Sequence, residues 1–206
     1  MASSDPVGLY LIVEATPGAA QLERLRAALA TDAIASVLVT AGPGRELEAG
    51  HARPFVELVQ EKGVAALVDG DAKLARALRA DGVHLRAVEG MDDAYGEARE
   101  ILGARYIVGG DAGGTRHGAM ALGEAGAEYV AFSGPERGDL IAWWAEIFEV
   151  PCVAFDASTP ADAADAARAG ADFVAIVMPG DATPGDVQAL VQAYAQAVAK
   201  PARVVA

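Results

Sequence analysis

Residues able to do chemistry gather at the ends of short apolar runs in this 206-residue chain. The acids are Glu14, Asp69, Asp71, Glu89, Asp111, Glu136, Asp139, Asp156 and Asp181, and the bases are Arg45, Arg86, Arg116 and Arg137. A diphosphate set among carboxylates is repelled unless metal ions or guanidinium forks compensate. Four Arg against nine acids is a poor match for one. Gly113-Gly114-Thr115-Arg116 runs into a helical pattern. Backbone amides in such a Gly-rich turn can bind phosphate, and a plain loop is the alternative. Pro179-Gly180-Asp181 is a second candidate anion site, with the charge of Asp181 against it. Asp69-Gly70-Asp71 also reads as a turn followed by a helix N-cap.

His84 stands between Val83 and Leu85 in an apolar run, so on a strand it faces opposite to both. A hydrogen-bonded structural role is the expectation for it. His51 and His117 fall at the starts of helical patterns. Cys152, the one cysteine, lies inside an apolar run, where a buried structural thiol is expected and no internal disulfide can form. Trp144 falls on the apolar stripe of its helix; Trp143 falls off it and is a candidate for a subunit contact.

These residues must be positioned by repeating units. Ala80-Asp81-Gly82-Val83-His84-Leu85 recurs as Ala127-Glu128-Tyr129-Val130-Ala131-Phe132 and as Ala171-Asp172-Phe173-Val174-Ala175-Ile176, at spacings of 47 and 44 residues. Each spacing suits two strand-plus-helix units. Gly126 and Gly170 sit where a helix would end in the left-handed conformation. The runs Leu9–Val13, Val37–Thr40, Ala65–Val68, Val83–Leu85, Tyr106–Val108, Tyr129–Phe132, Cys152–Phe155 and Phe173–Val177 read as parallel strands covered on both faces. Helical spacing fills the gaps, with Thr115 and Thr159 as N-caps and a last helix from about Pro184 to Lys200. Eight βα units in about 200 residues predict a single-domain (β/α)8 TIM barrel over residues 1–206. No Gly-x-Gly-x-x-Gly follows the first run, which counts against a doubly wound sheet. Residues 1–7 are expected to be a disordered N-terminus, and Ala41–Gly50 an extended βα loop.

Hydrophobic residues make up 53% of the chain and charged residues 22%, as in a packed soluble globule. A net charge of −13 argues against nucleic acid and anionic membrane as partners. No apolar run approaches the roughly eighteen residues of a membrane span. The N-terminal residues lack a signal-peptide pattern, and the lone cysteine suits a reducing cytoplasm.

Leu9-Tyr10-Leu11-Ile12-Val13, then Ala80-Asp81-Gly82-Val83-His84-Leu85, then Gly126-Ala127-Glu128-Tyr129-Val130 with Gly134-Pro135 resemble, in order, the thiamine-phosphate synthase and thiazole tautomerase superfamily. The resemblance runs along nearly the whole chain and implies a TIM barrel that assembles as a homodimer or homotrimer. It implies a synthase that joins an aminopyrimidine diphosphate to a thiazole phosphate, with magnesium, releasing pyrophosphate. By position it implies metal ligands at Asp69 and Glu89, with Asp71 completing a carboxylate set suited to magnesium or manganese. It implies substrate contacts around Asp111 and around Ser133-Gly134, beside the Gly113, Gly114, Thr115, Arg116 and Gly180 candidates.

The chain also departs from the pattern. The family's Gln-x-Arg-x-Lys is replaced by Val37, Val39 and Ala41, and Gly70 stands at a metal Asp. Ser133-Gly134-Pro135-Glu136-Arg137-Gly138 lacks the Thr-x-Thr-Lys, and Asp156-Ala157 replaces a Gly-Gly. The tautomerases' His after the sixth strand is absent as well. Three functions follow: a synthase of this type; a catalytically degenerate paralogue that binds a small phosphate, pyrimidine or thiazole-type ligand or a partner; or a different reaction on the same barrel.

Overall fold

The computed structural model describes residues 6–42 and 44–199. Eight strands and eight helices alternate: β1 (Gly8–Glu14), α1 (Ala19–Leu29), β2 (Ile34–Thr40), α2 (Ala49–Glu61), β3 (Ala65–Asp69), α3 (Ala72–Leu78), β4 (Gly82–Leu85) and α4 (Met91–Leu102) form the first half. The second half is β5 (Ile107–Asp111), α5 (Arg116–Ala125), β6 (Val130–Phe132), α6 (Arg137–Ile147), β7 (Cys152–Ala154), α7 (Pro160–Ala169), β8 (Phe173–Val177) and α8 (Pro184–Val198). The strands are all parallel and close in sequence order, with β8 paired to β1. This is the expected barrel.

Differences from expectation are at the ends of elements. β2 starts at Ile34, three residues before the apolar run, because its pairing with β1 extends that far. β5 ends at Asp111 and includes Gly109 and Gly110, which an apolar-run reading leaves out. Val7 packs against the core and Gly8 N–H donates to Asp172 O, so the end of the segment expected to be disordered is fixed; residues 1–5 lie outside the described residues. Pro43 and Lys200 lie outside them too.

Strand alternation divides the core in two. Leu9 and Leu11 face the helices with most of the apolar side chains, whereas Tyr10, Leu38, Leu67, Tyr129, Ala131, Val153 and Ala175 fill the barrel interior. Trp144 is fully buried, as its place on the stripe predicts. No helix among the described residues is long and apolar enough to cross a membrane.

The threefold repeat has a physical basis at the N-terminal end of the barrel. Asp81 donates its backbone N–H to Ala66 O and accepts the Ala66 N–H on Oδ2, both at 2.8 Å. Glu128 holds Val108 the same way, with N–H···O at 3.1 Å and carboxylate acceptance at 2.7 Å. Asp172 holds Cys152 at 3.0 and 2.8 Å. Each acid therefore satisfies both backbone groups of a residue at the foot of the preceding strand. The alanine before each acid closes the helix, donating to Ala75 O, Leu122 O or Ala166 O across a left-handed residue. That residue is Gly126 or Gly170 in two copies but Arg79, at φ 57°, in the first.

Candidate active site at the barrel mouth

The C-terminal ends of the strands, where barrels of this type carry their chemistry, enclose a cavity of about 230 Å³. His84 stands between its carboxylates Asp69 and Asp111; Phe155, Ile12 and Leu38 supply apolar wall. A larger open hollow of about 690 Å³ lies at the other end, but its one carboxylate, Asp81, is committed to Ala66 and Gln60.

Strand alternation turns His84 inward while Val83 and Leu85 face the helices. Its ring stacks on Tyr129, 5.9 Å between centroids, and tilts against Phe155 at 5.0 Å. Nδ1 lies 2.9 Å from the Tyr129 hydroxyl, which lies 3.1 Å from the Tyr10 hydroxyl. Burial drives the imidazole pKa down to about 4 against the opposing pull of Asp69 and Asp111, so His84 is neutral at physiological pH. Burial likewise pushes both tyrosines up and keeps them protonated. The expected structural hydrogen bond is there, but the same ring also floors the cavity.

Asp69 ends β3 with its carboxylate largely buried and gripped by Arg86, through Nε at 3.1 Å and Nη2 at 2.7 Å. Asp71 caps α3, accepting from Leu74 N–H at 2.8 Å, as the turn-and-cap reading predicts. Glu89 is exposed in the loop before α4. Among the described residues no group of three or more His, Cys, Asp or Glu is placed to hold a metal ion, so Asp69, Asp71 and Glu89 are not brought together.

Asp111 organises the next loops. It accepts from Gly113 N–H at 2.8 Å and from Ser133 Oγ–H at 3.1 Å. Asp156 accepts from Gly134 N–H at 3.2 Å. Two amides that could face an anion are thus turned to carboxylates of the protein itself. Thr115 caps α5, accepting from Gly118 N–H, and Arg116 lies over the Trp143 ring, 4.8 Å from its centroid. The Gly113 N–H, the Thr115 hydroxyl and the Arg116 guanidinium thus have partners inside the chain, and so does the Trp143 ring. Gly180 is exposed in the β8–α8 loop. The other mouth cations are engaged too: Arg45 pairs with Glu14 at 3.3 Å, and Arg137 binds Asp162 at 2.6 Å and the Phe155 carbonyl.

Tyr10, Tyr129 and Phe155 are not singled out as site residues by sequence, and Arg86 is legible there only as one of four mouth bases. The parity of each strand was the available signal, because Tyr10 and Ile12 share one face of β1. Space for the Tyr129 ring comes from Gly109, where any Cβ would run into that ring.

Residues 9–179 match the family model described as thiamine monophosphate synthase. The chain is 40% identical over 162 residues to the thiamine-phosphate synthase of Erythrobacter litoralis, covering 72% of this chain and 73% of that protein. It is 35% identical over 187 residues to that of Thiobacillus denitrificans, covering 84% and 86%. Among solved structures it resembles thiamine phosphate pyrophosphorylase from Pyrococcus furiosus, with a TM-score of 0.75, 21% identity, and 93% and 95% of the two chains covered. With its eight-stranded barrel and its mouth cavity, the chain belongs to the thiamine monophosphate synthase family.

Proposed function

We propose that this barrel is a thiamine-phosphate synthase, joining an aminopyrimidine diphosphate to a thiazole phosphate with release of pyrophosphate. The observation that carries this reading is the mouth cavity in a chain of this family. At about 230 Å³ it suits one ring with short substituents, with Phe155 as a flat wall and Asp69 and Asp111 as acceptors for an exocyclic amine. The diphosphate and the thiazole phosphate then lie outside the cavity, under the βα loops. In such a reaction the electron-rich aminopyrimidine helps to expel its own pyrophosphate, so the protein mainly orients the two rings and excludes water. Magnesium would neutralise the leaving pyrophosphate, but Asp69, Asp71 and Glu89 as they stand do not fit a shared ion, and no ligand role is assigned to them. The same reading carries a cytoplasmic location and a homodimer or homotrimer.

A second reading, a barrel that binds such a ring without turning it over, is favoured by one observation. Arg45, Arg86, Arg116 and Arg137 all have partners inside the chain. Calorimetric titration with the aminopyrimidine diphosphate, with and without magnesium, decides between them when followed by a turnover assay with thiazole phosphate. Magnesium-dependent binding with turnover supports the synthase. Binding without turnover supports the second reading, and no binding at millimolar ligand removes both.

A further inference from the structure

The hydroxyls beneath His84 form a chain with a direction. Tyr10 and Tyr129 are 2% and 6% exposed, and their rings lie among Leu38, Leu67, Ala131, Val153 and Ala175. These neighbours offer no side-chain hydrogen-bond acceptor. Tyr129 is the one hydrogen-bond partner of the Tyr10 hydroxyl among the described residues. Two arrangements are open to the chain. If His84 Nδ1–H donates to Tyr129, one hydroxyl hydrogen is stranded either way: that of Tyr10 when Tyr129 donates to it, or that of Tyr129 when it accepts from both neighbours. If Tyr10 donates to Tyr129 and Tyr129 donates to Nδ1, every hydrogen has an acceptor. A stranded buried donor disfavours the first arrangement by roughly ten- to a hundredfold.

We propose that Tyr10 and Tyr129 are positioning residues that lock His84 as its Nε2–H tautomer, giving the cavity floor one fixed hydrogen-bond donor between two carboxylates. His84 Nε2 has no protein partner among the described residues and is not sealed from solvent, so its N–H is available to an occupant of the cavity. The resulting acceptor–donor–acceptor pattern selects a heteroaromatic ring with an unprotonated ring nitrogen or a carbonyl flanked by N–H groups. The lock itself is independent of any ligand. The choice of an aminopyrimidine as occupant rests on the proposed function.

The full-length protein labelled with ¹⁵N-histidine tests both parts, with His51 and His117 as references and His84→Gln assigning the signal. At neutral pH His84 is expected to show a pyrrole-type Nε2 and a pyridine-type Nδ1. A protonated Nδ1 overturns the proposal. Tyr129→Phe should shift the Nδ1 resonance and release the tautomer; an unchanged spectrum in a folded variant also overturns it. Titration with 4-aminopyrimidine should move the Nε2–H signal, whereas aniline, which lacks the ring nitrogen, should not. His84→Leu should weaken 4-aminopyrimidine binding by roughly tenfold and His84→Gln, which keeps a donor, by less. A locked tautomer that ignores 4-aminopyrimidine supports the lock and removes the aminopyrimidine reading.

Discussion

Cys152 has no exposed surface on β7, and burial, aided by the nearby Asp172 carboxylate, pushes its thiol up to about 12. The thiolate is the reactive form, so iodoacetamide at pH 8 should label the native protein on the order of a thousandfold more slowly than the unfolded chain. Rapid native labelling would contradict this burial. The residue was legible from sequence, because a thiol flanked by apolar strand neighbours has little chance of meeting solvent. Arg79 was not. It adopts the left-handed conformation that Gly126 and Gly170 adopt in the other two repeats, at a cost that a side chain bears and glycine does not. Arg79→Gly should raise stability by about 0.5–1 kcal/mol in chemical denaturation. A loss of stability would mean that the Arg79 side chain makes a contribution its geometry does not reveal.

The repeated Ala-acid pair works at the level of the βα unit, tying each helix end to the foot of the preceding strand. Asp172→Ala removes the acceptor of the Cys152 N–H and should cost about 1–3 kcal/mol. The same variant should make Cys152 easier to ionise, which a thiol titration can read. Within the repeat the outward residues agree, as Val83, Val130 and Val174, because all meet a helix. The inward residues differ, as Gly82, Tyr129 and Phe173, because the barrel interior must be filled by unequal side chains from different strands. Gly109→Ala tests that packing directly. Its Cβ would enter the Tyr129 ring, so a destabilisation of about 1–3 kcal/mol and a disturbed His84 resonance are expected. A silent Gly109→Ala would show that Tyr129 has room to move.

Across the whole molecule, burial of a neutral histidine couples folding to pH. The folded protein holds His84 at about 4, whereas the ordinary value is 6.5, so the unfolded chain takes up this proton first. The contribution is fully present above about pH 6.5 and is lost as pH falls towards 4. At pH 4.5 the loss should reach about 2–3 kcal/mol relative to pH 7. His84→Gln should lack this component, so comparison of urea midpoints at the two pH values isolates it. Equal losses in the two proteins would place the pH sensitivity elsewhere.

The sequence by itself determined the barrel, its eight units, the caps at Thr115 and Thr159 and that His84 faces opposite to Val83 and Leu85. These follow from local periodicity, turn chemistry and strand parity, which act over a few residues. The resemblance carried by Ala80–Leu85 and its partner motifs likewise led to the right family. Only the tertiary structure decided which charges are spent. Asp69 and Arg86 are 17 residues apart, Asp111 and Ser133 22, and Tyr10 and Tyr129 119. Closure of the sheet brings them together. A carboxylate already holding a guanidinium, a hydroxyl or a backbone amide can still accept one more hydrogen bond, but it is not the free metal ligand its residue type suggests. Partnering across a closed barrel depends on three-dimensional register, which spacing along the chain does not encode.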